Sequence, residues 1–251
     1  MKKLIEWWNS LMGKKKPAPA PAPAVTQPSL KLPTFVDDFK SLENWIVSTW
    51  TAPNAHSVDH RGSFSAENAT ITPDGLCLRL MQTKEGSTTV SVGAEVCSKE
   101  TFGYGSYEFV VKASGASTGA PISGSITGCF NYLPSSKTEI DVEVEGGVRA
   151  RVTQLTSWKG EANPNQHTDV QPIAGSLPHQ AFHTYKFVWS PGKIEFYRNG
   201  VLVGTHTQVV PSMAAPMMFN HWGTNDPNWG GSATPDVERF MYVKRFSFTP
   251  L

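Results

Sequence analysis

Between Lys137 and Gly146 the chain reads K-T-E-I-D-V-E-V-E-G. Apolar Ile140, Val142 and Val144 alternate with Glu139, Asp141, Glu143 and Glu145, a period of two that predicts a β-strand with one face in a core. Its other face then carries four carboxylates in a row. The same short alternation returns over Leu76–Thr83, Thr88–Ser98, Tyr104–Ala113, Ile126–Leu133 and Phe240–Thr249. Thr184–Trp189, the turn Pro191-Gly192 and Lys193–Tyr197 predict a hairpin, and Asn199-Gly200 leads into Val201–Thr207. From Phe35 onward the pattern shows short strands punctuated by turn residues, with no internal repeat and no long helix. Two antiparallel sheets packed face to face fit it best.

Residues 1–33 follow another rule. Met1–Met12 places Leu4, Ile5, Trp8, Leu11 and Met12 on one helical face, and Lys14, Lys15 and Lys16 come next. Pro17–Ala24 is a strict Pro-Ala repeat that favours an extended polyproline II spacer. The expected organisation is a basic amphipathic segment over 1–16, a Pro/Ala-rich linker over 17–33 and one domain over 34–251. Glu6, Asn9 and Ser10 interrupt the apolar stretch, so it lacks the core of a cleavable signal peptide. An anchor to a membrane surface or a partner protein is the functional expectation for 1–16. A plain unstructured tail is the alternative.

Composition narrows the partners. Residues 1–33 hold six of the 22 basic residues and one of the 21 acidic ones, which leaves 16 basic against 20 acidic in 34–251, a net of −4. A mildly acidic body argues against nucleic acid or a polyanionic polysaccharide as the main ligand. Three cysteines, Cys77, Cys97 and Cys129, are too few for a disulfide framework and read as buried small apolar residues, with one bridged pair as the alternative. His56, Asp59 and His60 could hold a metal, but a loop cluster of this kind is more often solvated polar residues. No metal is expected.

A polar strand face commonly does no more than meet water. Four like charges along one strand nevertheless repel, and carboxylates held close together have a chemical use: one stays ionised while its neighbour keeps a proton. Aromatic residues lie among polar partners on nearby segments: Phe130 and Tyr132 before the carboxylates, Trp158 after them, and Asn220, Trp222 and Trp229 later. Ring faces beside hydrogen-bonding groups suit a sugar.

With these companions in order, Glu139-x-Asp141-x-Glu143 resembles the signature of glycoside hydrolase family 16. Gly93-Ala94-Glu95, Phe102-Gly103-Tyr104-Gly105-Ser106-Tyr107-Glu108 and Pro216-Met217-Met218-Phe219-Asn220-His221-Trp222 resemble its bacterial licheninases. The resemblance implies an all-β concanavalin-like jelly roll with a cleft across the concave sheet, and endo-hydrolysis of β-glycosidic bonds with retention. By position, Glu139 resembles the nucleophile, Asp141 the assisting carboxylate and Glu143 the general acid/base. Glu95, Phe130, Tyr132, Asn220, Trp222 and Trp229 fall where the family has substrate contacts. Trp158 is added from its place on the adjoining strand, and Glu145 is expected to be a rim residue or a bystander.

Retention needs the two carboxyl groups about 5–5.5 Å apart, so Glu139 and Glu143 must lean together over a curved strand. Three departures stand out. Lys137 and Thr138 replace a Trp-Asp pair, Cys97 replaces an arginine, and Met241 replaces an aspartate that ligates calcium. That calcium site is therefore not expected, and a structural calcium bound elsewhere is the alternative. A neutral mixed-linkage β-1,3-1,4-glucan is the first substrate expectation. Pure β-1,3-glucan is second, and agar or carrageenan third. Xyloglucan-type transglycosylation and a non-catalytic lectin-like module are the alternatives. A monomer that is secreted or tethered at a surface completes the picture.

Overall fold

The computed structural model describes residues 35–52, 59–135, 137–147 and 151–251. The expectations placed on residues 1–33, and on His56, lie outside the described residues. Among the described residues seventeen strands run in chain order: β1 (Phe35–Asp37), β2 (Trp45–Val47), β3 (Thr51–Ala52), β4 (His60–Phe64), β5 (Ala69–Thr72), β6 (Gly75–Glu85), β7 (Thr88–Phe102), β8 (Gly105–Gly115), β9 (Ser125–Leu133), β10 (Thr138–Glu145), β11 (Val152–Lys159), β12 (Gln166–Pro172), β13 (His183–Ser190), β14 (Lys193–Arg198), β15 (Val201–His206), β16 (Ala215–Gly223) and β17 (Arg239–Pro250). A 3-10 turn spans Ala66–Asn68.

Two layers form the sandwich. One runs β12-β11-β10-β9-β16-β7-β2. The other joins β5, β6, β17, β8, β13, β14 and β15, with β1 beside β17. The far ends of β6 and β7 pair with each other and link the layers. All ladders are antiparallel except β4 on β7, which is parallel and departs from the all-antiparallel expectation. Short or turn-rich strands escape the alternation rule: β1 to β5 and β12 lie outside the predicted set, being only two to seven residues long.

The core fills the space between the layers. Ile140, Val142 and Val144 point into it from β10, and Phe109, Phe187, Phe219 and Phe246 are fully buried. Aromatic edges and faces interlock there, as in Tyr107 stacked on Phe187 at 4.3 Å and Trp45 against Phe219 at 5.5 Å. Each such side chain contributes about 1.5–3 kcal/mol of burial free energy. Met241 is fully buried in this core, on β17. The β14–β15 hairpin turns on Asn199 and Gly200, with φ of 48° and 79°, as a two-residue turn of the primed type requires.

Candidate active site

With Ile140, Val142 and Val144 turned inward, the pleat sends Glu139, Asp141 and Glu143 to the opposite face. All three line one cleft with a cavity volume of about 930 Å³. Strand register extends the site sideways in rows. Glu139 lies between Tyr132 and Trp158. Asp141 faces Phe130, which faces Met218, which in turn faces Cys97. Glu143 faces Gly128, then Asn220, then Glu95.

Gly128 is required for this last row. A Cβ there would meet Asn220 Oδ1 at 2.3 Å. Without one, Asn220 lies over β9 and donates from Nδ2 to Glu95 Oε2 at 3.2 Å. Its Oδ1 is buried with no hydrogen-bond partner in the protein. The buried Glu95 also accepts from Ser48 Oγ at 2.7 Å and Trp50 Nε1 at 3.1 Å. Glu95 thus ties the β2–β3 segment to the cleft wall while lining the cleft itself.

The three carboxyls share a shortage of water. Burial, opposed by a hydrogen bond from Asp141, raises Glu139 to about 7. Asp141 is pushed well above the usual carboxylate range by burial, then by the charges of Glu139 and Glu143, against a hydrogen bond from Trp158. Burial, followed by Glu139 and Glu145, raises Glu143 to about 8. A protonated Asp141 that donates to Glu139 leaves Glu139 the easiest of the trio to ionise, while Glu143 holds its proton longer.

Glu145 and Trp158 are placed otherwise than the sequence reading expected. Glu145 is not a rim residue: it is 1% exposed, accepts from Gln154 Nε2 at 2.7 Å and takes the backbone N–H of Gly230 at 2.7 Å. The loop 224–233 covers it, so the fourth carboxylate of the face anchors that loop. Trp158 is not among the residues that line the cleft; its side chain hydrogen-bonds Asp141 on the neighbouring strand.

Phe130, Tyr132, Asn220, Trp222 and Trp229 do line the cleft, and the last two rings meet edge-on at 4.7 Å. Ser48, Trp50, Phe64 and Met218 join them without a signal in the sequence pattern. Cys97 is half-buried in the cleft wall rather than in the core, unlike buried Cys77 and Cys129. Lys137 is exposed and paired with Glu161, and Thr138 is buried. His60 begins β4 rather than lying in a loop, fully buried, with Nε2 2.6 Å from Ser91 Oγ, while Asp59 is exposed.

Residues 51–238 match the family described as Glycosyl hydrolases family 16. The chain belongs to this family. As a family 16 member it is a glycoside hydrolase with a jelly-roll fold. Among its relatives, the endo-1,3-1,4-beta-glycanase ExoK of Rhizobium meliloti is 29% identical over 86% of this chain and 78% of its own length. A beta-glucanase of Paenibacillus macerans is 32% identical over 78% of this chain and 82% of its own. The solved Bacillus licheniformis beta-glucanase shares the fold at a TM-score of 0.71 and 23% identity, covering 87% of this chain and 98% of that one.

Proposed function

We propose that this family 16 enzyme cleaves internal bonds of a neutral mixed-linkage β-1,3-1,4-glucan with retention of configuration. The observation that carries the reading is the trio Glu139, Asp141 and Glu143 on one strand face inside an aromatic-lined cleft. Relatives named for the endo-1,3-1,4-glycanase and beta-glucanase activities support the substrate.

Glu139 attacks the anomeric carbon while Glu143 gives its proton to the departing glycosidic oxygen, forming a glycosyl ester on Glu139. Glu143, now ionised, takes a proton from water as the water displaces Glu139 and frees the sugar. Asp141 steadies Glu139 by donating to it in the ionised state, and Trp158 holds Asp141 in place. Phe130, Tyr132, Trp222 and Trp229 offer faces to sugar rings, and the unpartnered Asn220 Oδ1 accepts from a sugar hydroxyl. On this reading the protein works where its polymer is, secreted or tethered at a surface through residues 1–16.

Reducing-sugar release from lichenan, compared with laminarin, tests the proposal. Lichenan is the expected better substrate, and Glu139→Ala removes turnover. Binding without release, or full activity in Glu139→Ala, contradicts it. Products longer than the starting chains would make a sugar, not water, the acceptor.

A further inference from the structure

A second cluster lies away from the cleft, where the edges of the two sheets meet. β12 is the outer strand of one layer and pairs with β11, and β15 is the outer strand of the other and pairs with β14. His167 and Asp169 stand two residues apart on β12 and so share a face. His206 closes β15 opposite them. One ligating atom from each of the three lies within 4.8 Å of the others. The rings of His167 and His206 stack at 4.1 Å with 9° between planes. Asp169 sits between their nitrogens, 3.5 Å from His167 Nε2 and 3.6 Å from His206 Nε2.

The protonation of His206 follows from its neighbours. Ser157 Oγ lies 2.6 Å from the Val209 carbonyl, which can only accept, so the one hydroxyl proton goes there. Ser157 therefore accepts from His206 Nδ1–H at 2.8 Å. In the neutral ring, Nε2 is then the bare nitrogen. His206 is fully buried and its Nε2 has no hydrogen-bond partner. A buried lone pair facing a carboxylate oxygen is an unfavourable contact unless a cation lies between them.

We propose that His167, Asp169 and His206 bind one divalent transition-metal ion of the zinc class. Two imidazoles and one carboxylate suit zinc, whereas calcium and magnesium prefer an all-oxygen shell. Ser157 acts behind the ligand, fixing the ring tautomer and its orientation through the Val209 carbonyl. The side chains of His167 and Asp169 are 34% and 35% exposed, so they can move inward to ligand distance and leave a fourth position to water. The ion would pin the outer strand β12 to β15 and so close the sandwich edge. It has no part in cleavage, and the inference is independent of the substrate.

Chelator-stripped protein is titrated with zinc chloride by calorimetry while its melting temperature is followed. One zinc per chain is expected, with Tm rising by about 5–10 °C at a hundredfold excess over Kd. Cobalt in place of zinc should give the visible absorption of a four-coordinate site. His167→Ala and Asp169→Asn, both at partly exposed positions, should each lower zinc affinity at least tenfold and lose the Tm rise and the cobalt band, with glycoside turnover unchanged. No saturable binding in the parent protein, or undiminished binding in both variants, overturns the proposal.

Discussion

Asp141 decides where charge sits in the cleft. It lies between two glutamates on the same strand face, is the most deeply buried of the three, and shares hydrogen bonds with Glu139 and Trp158. A proton kept on Asp141 lets Glu139 ionise as a nucleophile while Glu143 remains an acid, so the trio divides its roles by environment rather than by residue type. With Glu139 raised to about 7 and Glu143 to about 8, the bell-shaped profile of kcat/KM should centre near neutrality instead of near pH 4.5. Its acid limb follows ionisation of Glu139 and its alkaline limb follows loss of the proton on Glu143. In Glu143→Ala, assayed on an aryl glycoside whose leaving group needs no acid, the alkaline limb should vanish. An alkaline limb that survives unchanged would assign it to another group.

At the scale of elements, legibility tracked the distance between partners. β10 could be read from eight residues because its apolar and acidic positions alternate, and that alternation also places the trio on one face. Glu145 has the same spacing and could not be told apart, since its partner Gly230 lies 85 residues away in sequence. Trp50 and Ser48 were illegible for the same reason: they reach the cleft through Glu95, from the link between two strands too short to show a period. Arg239 is another case, a fully buried guanidinium that donates to Gln82 Oε1 at 2.7 Å and the Thr234 carbonyl at 2.6 Å. With Glu145 it holds the loop that carries Trp229. Replacing Glu145 by Gln puts amide character where two N–H groups now donate, and should cost about 1–3 kcal/mol in chemical denaturation. Loosening the loop should also raise KM more than it lowers kcat, if Trp229 contacts sugar rather than reacting atoms. A kcat loss with KM unchanged would move the role of Glu145 from the loop to the chemistry.

Over the whole molecule the buried ionisable groups oppose one another, and their sum sets how stability varies with pH. Glu139 and Glu143 ionise near 4.5 when unfolded but at about 7 and about 8 in the fold. Between those values the native state holds protons that the unfolded chain has released, so stability falls as pH rises. Histidines act in reverse. His221 is fully buried, donating from Nδ1 to the Leu78 carbonyl and facing Ser114 Oγ with Nε2, and burial lowers it from 6.5 to about 3. His179 and His183 are lowered by burial as well. Between their folded and unfolded values the unfolded chain holds the extra protons, so stability is lost as pH falls. The two slopes offset each other between about pH 4.5 and 6.5, where the maximum should lie. Just above it, up to about pH 8, the decline comes from the cleft carboxyls; at higher pH the buried Cys129 and Tyr185, raised by burial in the core, add to it. Glu143→Gln keeps the shape of the side chain and removes its ionisation. That variant should therefore be more stable than the parent at pH 8, by on the order of 4 kcal/mol, and no more stable at pH 4. Melting curves of both proteins across that range check it, and a difference that stays constant from pH 4 to 8 would mean that the acid cluster is not what limits stability in alkali.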